Sequence, residues 1–402
     1  MLYYTQNRGC CRGMNARLRS LAVNCGWPPR AVALAWLAHL AISLGFGLAL
    51  QANPELPEAP WFFAPDWASN LAHWDVQWEV IIAEQGYGPD FQPQTSAKFP
   101  LLALTARLLA QVSGLSLPAA LFALNKLGTL AGLWAVWALA NDLYDRTMAD
   151  RTVGYLAFPL TGTAYVYWMS YPEPLFLAQW ALAFLFVARR QEARAGLMAV
   201  LAVWTRPQGA LLVAALGLGV LAGERRLSAR LGRRALIVCL PPALALAAWL
   251  AHISALTGIP FSPYAAQAES GRALAWPWER VLRRAAWMVE NPGAIWPGHW
   301  LEAWQLLLIA LGLAALLVLW RRGRVPGALA AFTLLGVALP LATRILAIGR
   351  FSALTWLPVV PALVIPARWR ALDWALWALG AGLALWALVG INTAPLATLY
   401  VP

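Results

Sequence analysis

LEAWQLLLIALGLAALLVLW, residues 301–320, carries one charged residue, Glu302, and is followed at once by Arg321, Arg322 and Arg324. Twenty apolar residues in a helix run about 30 Å, the thickness of a bilayer's hydrocarbon core, so the stretch reads as a membrane span halted by a basic flank. The same pattern recurs along the chain. Spans are expected near 31–52, 117–141, 152–170, 174–188, 235–256, 327–345, 350–367 and 371–391. The stretch 195–223 is apolar too, but Thr205-Arg206-Pro207 divides it, and a proline inside a helix removes a backbone hydrogen bond. It is either two short helices meeting in a hairpin at Arg206 or one kinked span.

Composition agrees with that reading. Of 402 residues, 61% are hydrophobic and 12% charged, against roughly 25% charged in a soluble chain. Such a chain cannot cover its surface with polar groups, so lipid has to be part of its solvent. The 24 Trp suit the membrane–water boundary. The expected class is an all-α polytopic membrane protein with about ten or eleven spans. No stretch is long and polar enough for a separate soluble domain, so residues 1–402 form one transmembrane domain.

The formal charge of +12 sits in short Arg clusters between apolar runs, which argues for membrane topology and against nucleic acid. Arg8, Arg12, Arg17, Arg19 and Arg30 precede the first span and place a basic tail, residues 1–30, in the cytoplasm. Arg189/Arg190/Arg194, the run 225–234, Arg321–Arg324 and Arg368/Arg370 fall on the same side. Residues 53–97 contain seven acids and no Lys or Arg, so they lie outside. Residues 257–300 form a second long external loop. Loops of that length in a compact membrane protein usually carry function, and their Trp content suits interfacial helices. The first span is too long an apolar run for a signal peptide.

Within the first loop, the residues from His73 to Tyr87 read as a helix lying in the interface, with Trp74, Trp78, Ile81 and Ile82 on one face and Gly86 as its C-cap. Asp75 and Glu79 stand one turn apart and project together. A carboxylate beside Trp in low dielectric is expected to be more basic, as a general base requires; a solvated helix face is the other reading.

The run Trp74-Asp75 through Ile82-Ala83-Glu84-Gln85-Gly86-Tyr87 resembles the first external loop of PIG-V-type mannosyltransferases, the family of GPI mannosyltransferase II and its bacterial relatives. Further stretches agree in order: Phe99-Pro100-Leu101, Ser170-Tyr171-Pro172-Glu173-Pro174, Leu201 to Pro207, Gln267 with Gly271-Arg272 to Trp278, and Gly349-Arg350-Phe351. The resemblance covers roughly 70–360. It implies a glycosyltransferase-C fold with interfacial helices in two long external loops. It also implies a polyprenyl-phosphate sugar donor, mannose first, and a glycolipid or other hydroxyl acceptor, with membrane lipids around the enzyme. Transfer would invert the anomeric centre at an external site of an integral protein of the bacterial inner membrane. No cofactor is expected, and a metal is not obligatory. Asp75 inherits the role of general base, with Trp74, Glu79, Lys98, Glu173, Arg206, Gln267, Arg272 and Arg350 as substrate-binding candidates.

Each candidate also has a plainer reading. Lys98 departs from the family pattern and either contacts a phosphate or snorkels to the headgroups. Arg206 either meets a donor phosphate or satisfies backbone carbonyls at its helix break. Glu173 either orients Asp75 or a sugar hydroxyl, or is a helix-start carboxylate. Arg350 either grips the phosphate or anchors at the interface. Arg107, Arg272, Arg283 and Arg284 can serve as headgroup contacts, and His39 and His252 read as packed side chains. Phosphate-loop, nucleophile-elbow and Cys/His metal spacings are missing: Cys10, Cys11 and Cys25 lie in the tail and Cys239 in an apolar run. A lipid or lipid-linked-sugar transporter, or an enzyme of the same fold using another sugar, is the alternative. Transporters, however, commonly show an internal repeat, which this chain lacks.

Overall fold

The computed structural model describes residues 29–51, 67–72, 75–87, 93–222, 228–269, 274–291, 300–343 and 348–393, and among them every regular element is helical. Five helices are long and apolar enough to cross a membrane: α1 (Arg30–Gln51), α4 (Leu117–Leu143), α9 (Ala229–Thr257), α12 (Trp300–Arg321) and α15 (Arg370–Thr393). Between them lie α2 (Asp75–Gln85), α3 (Pro100–Ser113), α5 (Arg146–Ala157), α6 (Glu173–Ala188), α7 (Glu192–Thr205), α8 (Gln208–Ala222), α10 (Ser262–Glu269), α11 (Pro277–Glu290), α13 (Gly327–Thr343) and the short α14 (Ile348–Ala353). Leu34, Leu244, Leu311 and Leu385 stand exposed on the long helices, as lipid-facing surface requires. This is an all-α protein with the helices of a membrane protein.

The starts and stops have local causes. Ser116, Asp145 and Ser228 each accept a hydrogen bond from the backbone N–H three residues on, capping α4, α5 and α9. Pro100 and Pro118 occupy first-turn positions, where a missing N–H costs nothing. Gly86 follows α2 with φ +76° and donates to the Ile82 carbonyl at 2.8 Å, a C-cap conformation that side chains resist.

The division at Arg206 makes a hairpin. A Cβ on Gly196 of α7 would meet the Ile237 carbonyl at 2.7 Å, and one on Gly217 of α8 would meet Cys239 Sγ at 3.2 Å. The two far ends therefore lie at one level of α9, and Arg206, in extended backbone, is the tip. With 14 and 15 residues, each arm is only about 21–23 Å long. The tip consequently stops within the depth of the bundle.

Two expected spans are not continuous helices. Over 152–170 the chain leaves α5 at Phe158, turns through Pro159 and Gly162, and forms only a single turn, Tyr165–Trp168. Over 350–367 it passes from α14 through the short turns Leu357–Val359 and Val360–Val364. Pro159, Pro358, Pro361 and Pro366 remove donors that an unbroken helix needs. Unwound backbone at this depth survives only where protein groups satisfy it. For the first segment, Asn125 Nδ2 donates to the Val166 and Tyr171 carbonyls (3.1 and 2.8 Å), and Lys126 Nζ donates to Tyr167 and Trp168 carbonyls and to Ser43 Oγ. For the second, Arg151 donates to the Ala362 and Ile365 carbonyls (2.8 and 3.0 Å) while pairing with Asp373 at 2.7 Å. His39 is packed, as expected, and accepts from Trp168 Nε1 at 2.7 Å.

The Arg clusters collect at one end. The helix α6 runs from Glu173 to Arg189, α9 from Arg230 toward Leu246 and Leu250, and α13 from Arg324 toward Leu339 and Pro340. At the other end of these three helices lies a cavity.

Candidate active site

The cavity encloses about 690 Å³ and has two unlike walls. One is built from helix ends and carries charge. Asp75 opens α2, Lys98 precedes α3, Glu173 opens α6, Arg206 is the hairpin tip and Arg350 lies in α14. Leu246 and Leu250 of α9, Pro263 and Tyr264 of α10, Leu274, and Leu339 of α13 form the other wall, which is mostly apolar.

The charged wall is a chain of ion pairs. Lys98 Nζ stands 3.0 Å from Asp75 Oδ1, and Arg350 Nη2 stands 2.7 Å from Asp75 Oδ2. Arg350 Nε approaches Glu173 Oε1 at 3.3 Å, and the same oxygen is 2.5 Å from Arg206 Nη1. Aromatic faces support the guanidinium groups: Arg350 lies over Tyr171 and Phe351, and Arg206 over Phe351, with centroid distances of 5.2–5.3 Å. Gln208 Oε1 accepts from Arg206 Nε at 3.3 Å. Three cations, two of them guanidinium groups, line this wall beside the carboxylates of Asp75 and Glu173 and offer N–H donors suited to an anion's oxygens. Such a wall favours an anion.

The two carboxyls of α2 differ sharply. Burial by itself would push Asp75 up, but the charges and hydrogen bonds of Lys98 and Arg350 outweigh it and hold the group well below the usual carboxylate range. This corrects the expectation of a more basic Asp75: the carboxylate stands between two cations, whose influence outweighs its burial. Glu79 is 3% exposed, and burial pushes its carboxyl up to about 7. The helix also buries a different face than expected. Val76, Glu79, Val80, Ile82 and Ala83 turn inward, while Trp78 and Ile81 remain partly exposed. Thus α2 packs into the protein and brings Glu79 with it.

Of the residues singled out in the sequence, Asp75, Glu79, Lys98, Glu173, Arg206 and Arg350 border one cavity. Lys98 neither snorkels nor stands free; it pairs with Asp75. Arg206 satisfies a carboxylate rather than carbonyls. Gln267 belongs to α10, which borders the cavity, but its side chain falls outside the described residues, as do Trp74 and Arg272. Arg284 pairs with Glu302 at 2.7 Å and ties α11 to α12. The sequence reading missed Tyr171 as a platform for Arg350, Gln208 as a partner of Arg206, and the whole apolar wall. Tyr171 had a signal, since it stands two positions before Glu173; the wall had none beyond hydrophobicity. It also passed over Lys126, whose position inside an apolar run marks it for a buried partner. No protein-family model matches the chain, and no curated protein matches it.

Proposed function

We propose that the protein is a membrane glycosyltransferase that moves a sugar, with mannose the first candidate, from a polyprenyl-phosphate carrier to a hydroxyl acceptor. The glycosyltransferase-C arrangement and the likeness to PIG-V-type mannosyltransferases belong to this proposal. One observation carries it: an anion-favouring chain of Lys98, Arg206 and Arg350 shares a cavity with an apolar wall. A phosphate joined to a hydrocarbon tail fits both walls at once. The cavity lies at the end of the bundle opposite the Arg clusters, which puts it on the external face if those clusters are cytoplasmic.

In this reading the donor phosphate competes with Asp75 for Lys98 and Arg350. Its arrival loosens the two contacts that keep Asp75 weakly basic, so the carboxylate gains basicity when substrate is present. Asp75 then takes the proton of the acceptor hydroxyl, whose oxygen attacks the anomeric carbon as the lipid phosphate leaves. A single displacement inverts that carbon. Arg206 and Arg350 stabilise the charge that collects on the departing phosphate.

The test uses protein purified in detergent and two donors, polyprenyl-phosphate mannose and polyprenyl-phosphate glucose, with radiolabelled sugar followed into a lipid extract. Transfer from the mannose donor is expected. In a monodisperse Asp75→Asn preparation, turnover should fall by roughly 10²-fold or more, the usual worth of a general base. No transfer from either donor would sink the transferase reading. A near-normal Asp75→Asn rate would remove Asp75 as the base.

A further inference from the structure

Glu79 is unlike every other charged residue of the cavity. Lys98, Arg206 and Arg350 are each ion-paired to Asp75 or Glu173. Among the described residues Glu79 has no such pairing, and its fully buried Oε2 has no hydrogen-bond partner. Leaving an ionised carboxylate so placed is expensive, and a buried carboxyl escapes the expense by holding a proton. The groups facing it divide by sign. Lys98, from the start of α3, and Arg206, from the hairpin tip, favour the ionised form, whereas Asp75, one turn back on α2, and Glu173 of α6 oppose it. Tyr87 also faces Glu79, and its hydroxyl is occupied in donating to the Lys98 carbonyl at 3.2 Å. Burial is the largest influence, and the balance leaves the carboxyl near neutrality at about 7. Asp75 and Glu79 therefore form a pair one helical turn apart in which the first holds protons poorly and the second holds them well. Side chains at that spacing have Cβ atoms about 5–6 Å apart, within reach of direct contact or of one water.

We propose that Glu79 is the terminal proton acceptor of the transfer: the proton taken by Asp75 from the attacking hydroxyl passes on to Glu79. The inference rests on the transferase reading. In the step, the acceptor O–H bond breaks and its oxygen bonds the anomeric carbon. The bond from that carbon to the phosphate oxygen breaks, and its electron pair leaves with the phosphate. The proton moves to an Asp75 oxygen, then to Glu79 Oε2, and is released to solvent before the next cycle. Asp75 is thereby returned to the ionised state in which it pairs again with Lys98 and Arg350. Glu79 works through Asp75, so it is a proton-relay residue rather than the base that touches substrate.

Two measurements on the full-length protein separate this relay from the reading it rests on. Difference infrared spectroscopy, titrated across pH without substrate, reads the protonated carboxyl directly. The wild type should show a carboxylic-acid band that disappears with a midpoint near 7, and Glu79→Gln should lack it. A wild type without the band, or a band that survives in Glu79→Gln, overturns the proposal without any appeal to activity. The second measurement is the pH dependence of turnover. The wild-type rate should rise through about 7 to a plateau, and Glu79→Gln should lose that limb together with roughly tenfold of its rate, less than removal of a direct base. If the wild type transfers sugar and Glu79→Gln keeps both rate and limb, the relay is wrong and the transferase reading stands. If the wild type transfers nothing, the reading fails and the relay falls with it, whatever the infrared band shows.

Discussion

Two groups of basic side chains lie within this bundle, and they meet different partners. Lys126 and Arg151 direct their N–H groups at backbone carbonyls of the two broken segments, at 167–168 and at 362 and 365, with Arg151 also held by Asp373. Lys98, Arg206 and Arg350 face side-chain carboxylates at the rim of a cavity. A carbonyl fixed in folded backbone has nowhere to go if its donor leaves. Carboxylates at the ends of short side chains, by contrast, can yield their partners to an arriving anion. The first set therefore maintains the fold, and the second is exchangeable. Buried charge in a membrane protein does not by itself mark a functional site; the kind of partner separates the two.

The comparison can be broken at its structural end first. Arg151→Ala strips a buried Asp373 of its cation and leaves the Ala362 and Ile365 carbonyls without donors, so stability should fall by about 3–5 kcal/mol. Thermal unfolding in detergent would report it as a large drop in midpoint. An unchanged midpoint would mean that the buried pair contributes nothing to holding the second broken segment.

Arg350→Ala should act on substrate more than on fold, because Asp75 keeps Lys98 and Glu173 keeps Arg206. The expected loss is roughly 2–5 kcal/mol in use of the polyprenyl-phosphate donor if the guanidinium meets a desolvated phosphate. Steady-state kinetics against donor concentration, beside the unfolding midpoint, would sharpen the contrast. If Arg350→Ala melts early and the surviving fraction keeps wild-type kinetics, Arg350 belongs with Arg151.

Lys98→Met should have the smallest effect. Its ion pair is the most exposed of the set, with both side chains partly open, and such pairs contribute about 0–1 kcal/mol. Loss of one neighbouring cation should also let the Asp75 carboxyl titrate at higher pH than in the wild type. A carboxyl-resolved titration of Lys98→Met that matches the wild type would assign the depression of Asp75 to Arg350 alone.

How much of this was legible in the sequence depended on what kind of information each feature carries. The long helices α1, α4, α9, α12 and α15 were readable because hydropathy and length are local properties. The segments at 152–170 and 350–367 look equally apolar, yet they break. Their prolines were in view, but the Lys126, Asn125 and Arg151 donors that make a break tolerable come from other helices. The inward turn of Glu79 was hidden for the same reason: α2 has apolar residues on more than one face, and packing against its neighbours chose Val76, Val80 and Ala83 over Trp78 and Ile81. The charged residues of the cavity were picked out through ordered motifs, and no spacing rule could have joined Asp75 to Arg350. The reversed basicity of Asp75 and Glu79 needed coordinates, because one turn of helix separates a carboxyl paired with two cations from a more deeply buried one with no ion pair among the described residues.

The ion-pair chain also has a history in time. Arg350 follows Asp75 by 275 positions, whereas Lys98 follows it by 23. Ribosomes add about 5–20 residues per second, so the helix bearing Asp75 exists for some tens of seconds before Arg350 has been made. Glu173 and Arg206 are translated in between, close enough together to meet early. For that interval Asp75 has one of its two final partners, and the cavity closes only when the last third of the chain enters the membrane.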